Sequence, residues 1–268
     1  MEYDVNKKYA LVTGGTSGIG YELAKLLAKD GYNLIIVARS KTDLERVATE
    51  FKSEYGIDVL TIPKDLFVRQ NAFEVFDLVK AHNIQLDILV NDAGHGHYGE
   101  FVSTDLDMEL QIIDLNIASL VILTKLFLKD MITRGKGRIL NVSSIASKMP
   151  GPWQSVYHGT KAFVQSFTEA IRSEVKDTGV TITALLPGPT DTDFFSKAGM
   201  LSSKIVQEGK LYDPAEVARD GYDSLLRGDD MVVSGFKNKV QVAMSNFTSD
   251  EKLADKMKKQ QEPADQSE

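Results

Sequence analysis

A short apolar run that ends in a glycine-rich turn constrains the fold of this chain more than any other feature. Residues 9–13 are apolar, the next turn carries Gly14, Gly18 and Gly20, and residues 21–29 have helical periodicity. A strand, a glycine turn and a helix in this order are typical of a site where the backbone approaches a pyrophosphate and a helix N-terminus faces the phosphates. Because loose glycine patterns are common, a plain turn is the alternative interpretation.

Strand-like and helix-like segments alternate along the rest of the chain. The predicted strands are 9–13, 33–38, 58–63, 88–90, 138–142, 181–186 and 231–234, and the longest predicted helices are 40–55, 104–134 and 155–176. Regular alternation indicates βαβ crossovers and a parallel sheet. We therefore predict an α/β fold in which residues 1–248 form one doubly wound parallel sheet of about seven strands with helices on both faces.

Charge and composition exclude several classes of protein. A net charge of −7 argues against nonspecific nucleic-acid binding, and a chain without cysteine has no disulfide and no thiolate metal site. His95 and His97 have no neighbouring ligand set, so no metal site is expected. The N-terminus lacks the apolar core of a signal peptide, and the apolar stretch 117–123 is far shorter than the roughly 20 residues that span a bilayer. We expect a cytoplasmic protein with no membrane contact.

A tyrosine and a lysine four residues apart are the strongest candidates for chemistry. On a helix Tyr157 and Lys161 project from one face, and a nearby ammonium favours the phenolate and lowers the pKa of a tyrosine toward the range of an acid–base catalyst. Ser144, after the fifth predicted strand, is placed to stabilise charge on the same substrate oxygen. An amphipathic tyrosine beside a solvated lysine is the alternative.

The residues after the second predicted strand bear on the choice of cofactor. An acidic residue at this position of a dinucleotide fold binds the ribose 2′-hydroxyl, whereas an arginine accommodates a 2′-phosphate. Arg39, Ser40 and Lys41 occupy the position, with no acid among them. We therefore expect NADP(H) in preference to NAD(H), unless Arg39 only covers the edge of the sheet.

Two further polar residues stand where apolar residues would otherwise be expected. Asp65 follows the third predicted strand and either reaches the adenine or caps the next helix. Asn116 lies inside an apolar helical stretch, where an asparagine without a hydrogen-bond partner is costly. A partner for Asn116 is therefore implied.

Taken together, these residues resemble those of the classical short-chain dehydrogenase/reductase family, over about residues 8–234. The family's glycine turn corresponds to residues 13–20, its Asn-Asn-Ala-Gly to residues 91–94, and its Pro-Gly turn to Pro187 and Gly188. Its catalytic set corresponds to Asn116, Ser144, Tyr157 and Lys161. Asp92 in place of the second asparagine and Thr160 in place of a serine depart from the pattern. The resemblance implies a Rossmann-type fold.

The resemblance also implies roles for individual residues. Tyr157 would exchange a proton with the substrate oxygen while the nicotinamide exchanges hydride with the carbon. Lys161 would lower the pKa of Tyr157 and hold the nicotinamide ribose, and the carbonyl of Asn116 would anchor a water that relays protons to Lys161. The cofactor-binding residues would be Gly14, Thr16, Ser17, Gly18, Ile19, Gly20, Arg39, Asp65, Leu66, Asn91, Ala93, Gly94, Tyr157, Lys161, Pro187, Gly188, Thr190 and Thr192.

The substrate pocket and the tail carry less information. His95 and Trp153 are expected to line the pocket with Ser144 and Tyr157. A lid at about residues 193–210 is expected to determine which substrate binds. No residue pattern identifies that substrate. Residues 249–268 are expected to be a charged helix and a disordered tail, the helix solvated in preference to docked on a neighbour or a membrane. The resemblance implies a homodimer or homotetramer.

The leading hypothesis is an NADP(H)-dependent oxidoreductase that interconverts a small-molecule carbonyl compound and its alcohol. Two alternatives belong to other classes. A dinucleotide-sensing protein without turnover would be expected to lack Tyr157 or Lys161, and a purely structural protein leaves the glycine turn unexplained.

Overall fold

The computed structural model describes residues 7–264 and contains one parallel sheet. Its seven strands have the order β3-β2-β1-β4-β5-β6-β7. They are β1 (Tyr9–Thr13), β2 (Asn33–Ala38), β3 (Val59–Pro63), β4 (Ile88–Asn91), β5 (Gly137–Val142), β6 (Val180–Leu186) and β7 (Met231–Val233). The predicted fold class, a doubly wound parallel sheet of the Rossmann type, is confirmed.

Helices cover both faces of the sheet because alternate strand residues point to opposite sides. Ala10 and Val12 of β1 belong to the core beneath one helical layer, whereas Tyr9 and Leu11 belong to the core beneath the other. The helices are α1 (Gly18–Lys29), α2 (Lys41–Tyr55), α3 (Arg69–Ala81), α4 (Leu106–Ile113), α5 (Leu120–Arg134), α6 (Ser155–Glu174), α7 (Phe194–Lys197), α8 (Lys204–Gln207), α9 (Pro214–Arg227), α10 (Phe236–Ser245) and α11 (Asp250–Gln261).

The strand order reverses between β1 and β4. β1 pairs with β2 on one side and with β4 on the other, so the connections that leave these strands diverge to opposite faces. Ligands of open α/β sheets bind in the crevice that this reversal opens at the carboxyl ends of the strands. The residues that follow β1, β2, β3 and β4 therefore meet at one edge.

The start of α2 shows how local sequence sets helix boundaries. The Ser40 hydroxyl accepts a hydrogen bond from the Asp43 backbone N–H at 3.2 Å, and Gly56 ends the helix at a φ of 66°. A side chain with a Cβ rarely adopts that left-handed conformation, so the glycine is a favourable stop. These two residues account for where α2 begins and ends.

The long helix predicted at 104–134 is not a uniform α-helix. A π-helical turn, Asp114–Ser119, separates α4 from α5. A π-turn breaks the regular ladder of backbone hydrogen bonds and is frequent at functional sites. The continuous stretch Leu106–Arg134 is long and apolar enough to cross a bilayer by length and composition, with a mean hydropathy of 1.7, and 44% of its most apolar window is buried in the fold.

Candidate active site

A cleft of about 890 Å³ runs along the carboxyl edge of the sheet. The predicted residues that line it are Gly14, Thr16, Ser17, Gly18, Ile19, Arg39, Asp65, Leu66, Ala93, Gly94, His95, Ser144, Tyr157, Lys161, Pro187, Gly188, Thr190 and Thr192. The fold therefore brings most of the predicted site residues to one cavity, although they are spread over six strand ends and the helix α6.

The glycine turn at one end of the cleft has the geometry of an anion cradle. Gly14 and Gly18 have φ values of 75° and 57°, which favour glycine. Gly20 lies against the turn itself. A Cβ at this position would therefore meet the Asp92 carboxylate and would lie 2.6 Å from the Gly14 oxygen. The N-cap residue of α1, Ser17, makes no side-chain capping bond, so the N–H groups of Gly18 and Ile19 remain available to phosphate oxygens.

Arg39 lies beside the glycine turn at the end of β2. Its guanidinium stacks over the Phe67 ring, 5.2 Å from the centroid. Within residues 7–264 no carboxylate forms an ion pair with Arg39. A preoriented arginine without an acidic partner fits a 2′-phosphate.

Asn91 does not have the predicted position in the cleft. Its side-chain amide donates to the Thr124 hydroxyl at 3.0 Å and to the Asn141 amide oxygen at 2.9 Å, between β4, β5 and α5. The Asn141 amide in turn donates to the Thr168 hydroxyl at 3.0 Å. Asn91 is buried in a polar network that joins the sheet to two helices, and it is not among the residues that line the cleft, where the resemblance placed it.

The neighbouring Asp92 faces the cleft instead. Its carboxylate accepts a hydrogen bond from the Gly20 backbone N–H, and its own N–H donates to the Thr13 hydroxyl at 3.1 Å. Burial raises the pKa of Asp92 to about 7, against the effect of the nearby Lys161 ammonium. Burial lowers the pKa of Lys161 to about 8, against the effect of the Asp92 carboxylate. The charge of each group therefore offsets part of the cost of burying the other beneath the cleft.

Ser144, Tyr157 and Lys161 converge in the middle of the cleft. Ser144 follows β5, its hydroxyl accepts from the Ala146 N–H at 3.1 Å, and it hydrogen-bonds the Tyr157 phenol. The Lys161 ammonium lies over the Tyr157 ring, 5.8 Å from the centroid, and donates to the Val142 carbonyl at 2.8 Å. The i,i+4 geometry expected from the sequence is present on α6.

The pKa of Tyr157 differs from the expectation. Burial of the phenol raises the pKa to about 12, the hydrogen bond from Ser144 lowers it in part, and the Asp92 carboxylate raises it further. The Lys161 ammonium is held at the Val142 carbonyl and lies over the ring, and its effect does not outweigh the burial of the phenol. The phenol is consequently protonated near neutral pH in this arrangement and is a proton donor.

Asn116 has the hydrogen-bond partners that its position in an apolar helix required. Its amide oxygen accepts from the His95 N–H at 2.9 Å, and its amide nitrogen donates to the His95 carbonyl at 2.9 Å and the Thr160 hydroxyl at 3.0 Å. A Cβ at Gly94 would lie 3.4 Å from both the Asn116 amide oxygen and the Lys161 nitrogen. The side chain thus fixes the loop after β4 to α6 beside the lysine.

The far end of the cleft contains residues that the sequence analysis missed. Gln154, His158 and Phe194 line it, and the Phe194 ring packs against the Tyr157 ring with centroids 5.0 Å apart. Trp153, by contrast, stacks on Tyr98 at 5.5 Å and is not among the residues that line the cleft. The prediction that Trp153 lines the pocket was therefore wrong, and its neighbour Gln154 takes that position.

The C-terminal segment, residues 250–264, closes this end of the cleft. Leu253 and Met257 of α11 pack against Met149, and Gln261, which is 2% exposed, lies beside His158 with 3.0 Å between its side-chain nitrogen and Nε2. His158 Nδ1 lies 2.8 Å from the Met149 carbonyl, so Nδ1 carries the proton and Nε2 accepts the hydrogen bond from Gln261. The favoured expectation of a solvated helix was wrong, because three of its side chains are buried.

The same segment is joined to the lid, residues 193–210. The Lys204 ammonium pairs with the Glu262 carboxylate at 2.7 Å, the Lys204 N–H donates to the Glu262 carbonyl, and Ser203 forms an isolated bridge with Pro263. The Tyr98 hydroxyl donates to the Gln261 carbonyl. Residues 262–264 are therefore held in contacts, and the rest of the predicted disordered tail, 265–268, lies outside the described residues.

A family model, described as short chain dehydrogenase, matches residues 8–200. The chain is 36% identical over 185 residues to a very-long-chain 3-oxoacyl-CoA reductase of Anas platyrhynchos and 35% identical over 186 residues to that of Homo sapiens. In each case the match covers 67% of this chain and 58% of the relative. The chain thus matches less than two thirds of the length of these relatives.

A solved structure shares the fold over most of the chain. The short-chain dehydrogenase from Sphingobium yanoikuyae, determined in complex with NADPH, is 26% identical and superposes with a TM-score of 0.79. The superposition covers 90% of this chain and 94% of that protein. It therefore extends beyond the residues that the family model matches.

Proposed function

The chain belongs to the short-chain dehydrogenase/reductase family of oxidoreductases, and on that premise we propose that it reduces a ketone or aldehyde with NADPH. The convergence of Ser144, Tyr157 and Lys161 in a cleft that begins at a glycine turn is the observation that carries the proposal. A bound nicotinamide supplies or accepts the hydride. The chain's own residues supply the proton, the hydrogen bonds and the shape of the site.

Tyr157 would donate its phenolic proton to the substrate oxygen as that oxygen gains negative charge. A raised pKa favours this direction, because the group is protonated at neutral pH and is a general acid rather than a base. Ser144, already hydrogen-bonded to the phenol, would donate to the same oxygen. After transfer, the Lys161 ammonium beside the ring would stabilise the phenolate, and Asn116 would hold the His95 loop in position.

The cofactor would lie along the near end of the cleft. Gly14 and the free N–H groups at the start of α1 would receive the pyrophosphate, and Arg39 would bind the 2′-phosphate of NADPH. Asp65 and Leu66, which line the cleft, are suited to contact the adenine. The NADPH complex of the Sphingobium yanoikuyae dehydrogenase supports this choice of cofactor.

The substrate would be a carbonyl compound with a bulky apolar body. Apolar side chains line the far end of the cleft, including Met149, Phe194, Phe195, Met200, Ile205 and Met257. The relatives named very-long-chain 3-oxoacyl-CoA reductase support a 3-oxoacyl thioester as the first compound to test. Residues 193–210 would serve as the lid of this single domain.

We also propose that the protein is a homo-oligomer in contact through the α4–α6 side. Leu106 and Leu110 of α4 are 65% and 50% exposed, and Phe163 of α6 is 41% exposed and stacks on Phe167 at 5.8 Å. An apolar surface of this kind is typical of a protein interface. Light scattering of the wild type and of Leu106→Glu/Leu110→Glu tests it, and a monomeric wild type would refute it.

The test of function is a panel of apolar ketones and 3-oxoacyl thioesters, followed at the nicotinamide absorbance with NADPH and with NADH. We expect turnover with NADPH, and a fall in kcat of about 10²- to 10⁴-fold for Tyr157→Phe, the range in which general acid–base catalysis contributes. Tyr55→Phe, at a half-buried tyrosine of α2 whose hydroxyl donates to the Glu54 carboxylate, is the matched control and should leave kcat unchanged. NADPH binding without turnover of any compound would instead support a dinucleotide sensor.

A further inference from the structure

Helix α10 presents a stripe of apolar side chains to the outside of the molecule. Phe236, Val240 and Met244 are 81%, 42% and 63% exposed, and Phe247, just beyond the helix, is 92% exposed. Positions separated by four, eight and eleven residues fall on one face of a helix. We call these four side chains the α10 stripe.

The opposite face of the same helix is mostly polar, and it is buried. Asn238 is 4% exposed and donates to the Ser234 carbonyl at 2.7 Å, Ser245 is 7% exposed, and Val242 is the apolar exception. A surface helix of a globular protein normally places its apolar face toward the core. The arrangement in α10 is reversed, so its outer face is suited to a contact outside the fold.

Lysines border the α10 stripe. At 100° per residue, Lys239 and Lys237 lie on opposite sides of the stripe, and Lys252 and Lys256 of α11 line a shallow groove together with Met244. No acidic side chain lines that groove, and none of these four lysines forms a salt bridge within residues 7–264. The chain as a whole carries a net charge of −7, so this basic border is a local feature.

We propose that the α10 stripe and its four lysines form a docking surface for an anionic phospholipid bilayer. The phenylalanines would insert at the boundary between headgroups and acyl chains, and the lysines would extend to the phosphates, as in amphipathic helices that lie in the membrane interface. In the cytoplasm that the sequence favours, the protein would meet the leaflet in which anionic lipids attract basic segments.

A second copy of the chain is a poorer occupant of this surface. In a two-fold dimer the same patch faces itself, so the lysines of both copies would surround one apolar centre and repel each other. The area is also small. A phenylalanine buries about 150–250 Å², so a stripe of two phenylalanines, one valine and one methionine falls short of the roughly 800 Å² per partner of a stable interface.

The docking surface lies beside the cleft. Lys237, Asn238 and Gln241 of α10 line the cavity that also contains Tyr157. If the proposed function holds, an apolar carbonyl compound dissolved in the bilayer would reach the far end of the cleft without crossing bulk water. Docking itself does not depend on that function, and its test uses no turnover.

The test is co-sedimentation of the full-length protein with vesicles of phosphatidylcholine alone and with vesicles that contain roughly one third phosphatidylglycerol. We expect binding to the anionic vesicles and a loss of at least about tenfold in the partition coefficient for Phe236→Ser/Phe247→Ser. Phe101→Ser, at a phenylalanine that is 62% exposed elsewhere, should bind as the wild type does. Lys239→Glu/Lys252→Glu should reduce binding, and Lys176→Glu should not.

Three results would overturn the proposal. The first is a wild type that does not sediment with anionic vesicles, and the second is a Phe236→Ser/Phe247→Ser variant that binds as tightly as the wild type. The third concerns the protein without vesicles. If the wild type is then a dimer and the Phe236→Ser/Phe247→Ser variant is a monomer, the α10 stripe belongs to an interface with a second copy. Circular dichroism and thermal unfolding establish that each variant is folded, independently of cofactor or substrate.

Discussion

The two ends of the cleft are built in different ways. At the near end, Gly14, Arg39 and Ala93 come directly or almost directly after β1, β2 and β4, so the sheet itself determines their positions. At the far end, Gln154, Phe194 and Gln261 come from three segments that are far apart in the chain. The near end therefore depends on backbone topology, and the far end depends on side-chain packing between distant segments.

The difference indicates how each end is expected to respond to mutation. A backbone cradle tolerates few side chains but does not depend on long-range contacts. The far end depends on contacts such as Gln261 with His158 and Lys204 with Glu262, which join residues separated by 103 and 58 positions. Changes there should alter substrate affinity while dinucleotide affinity is retained.

The largest expected effect is that of Gly20→Ala at the near end. The added Cβ would lie 2.6 Å from the Gly14 oxygen, and such overpacking costs about 1–3 kcal/mol of folding free energy. We expect lower thermal stability and NADPH affinity reduced by about tenfold or more, because the cradle itself shifts. Gly159→Ala is the matched control, since no heavy atom lies within 4 Å of its Cβ and alanine stabilises helices by about 0.5–1 kcal/mol. Equal behaviour of the two variants in unfolding and binding titrations would contradict the comparison.

Arg39→Ala should change cofactor preference rather than catalysis. A hydrogen bond to a charged group contributes about 1.5–3 kcal/mol, so we expect the dissociation constant for NADPH to rise about 10- to 100-fold. The constant for NADH should change little, because it lacks the 2′-phosphate. Titration of both cofactors against the variant measures this, and Arg219→Ala, at an exposed arginine of α9 that does not line the cleft, is the control. Parallel losses for the two cofactors would remove Arg39 from the phosphate site.

Gln261→Ala tests the far end. It removes the hydrogen-bond donor to His158 Nε2, and a buried acceptor without a partner costs about 1–3 kcal/mol. We expect KM for an apolar ketone to rise several-fold while the dissociation constant for NADPH stays within about twofold. Lys258→Ala, exposed on the same helix, should change neither value. A variant that weakens NADPH as much as substrate would show that the two ends are not independent.

Asp92→Asn gives the smallest expected effect, a change in how stability depends on pH. Asp92 lies between the glycine turn of the near end and Lys161 in the middle of the cleft. The folded protein holds a proton on Asp92, whose pKa is about 7, at pH values where an unfolded chain with a pKa of 3.8 has lost it. The free energy of unfolding should therefore fall as the pH rises from about 4 to about 7. Asp92→Asn removes the titrating carboxyl and should therefore reduce that slope by up to about 1.4 kcal/mol per pH unit, the value for one proton. Chemical unfolding at several pH values measures the slope, which exposed Asp77→Asn should not alter.

Local sequence patterns were sufficient to predict the fold class, the glycine turn, the arginine at the end of β2 and the pairing of Tyr157 with Lys161 on one helix. These features depend on local rules: strand and helix periods, glycine conformations and the four-residue repeat of a helix. It also indicated that Asn116 requires a partner. Such properties can be predicted from the sequence because they depend on residues that are close together in the chain or that follow parallel strands and so lie at one edge of the sheet.

Which side chains face the cleft, and how their surroundings shift their pKa values, depends on tertiary contacts. Adjacent strand residues point to opposite faces, and the side chain of Asn91 enters a buried network whereas that of Asp92 reaches the glycine turn. Desolvation in the cleft, which no local pattern encodes, raises the pKa of Tyr157 where the sequence suggested a decrease. The C-terminal segment likewise forms a wall of the site only because its three buried side chains meet residues more than one hundred positions away, and contacts of that range arise from packing of the whole chain.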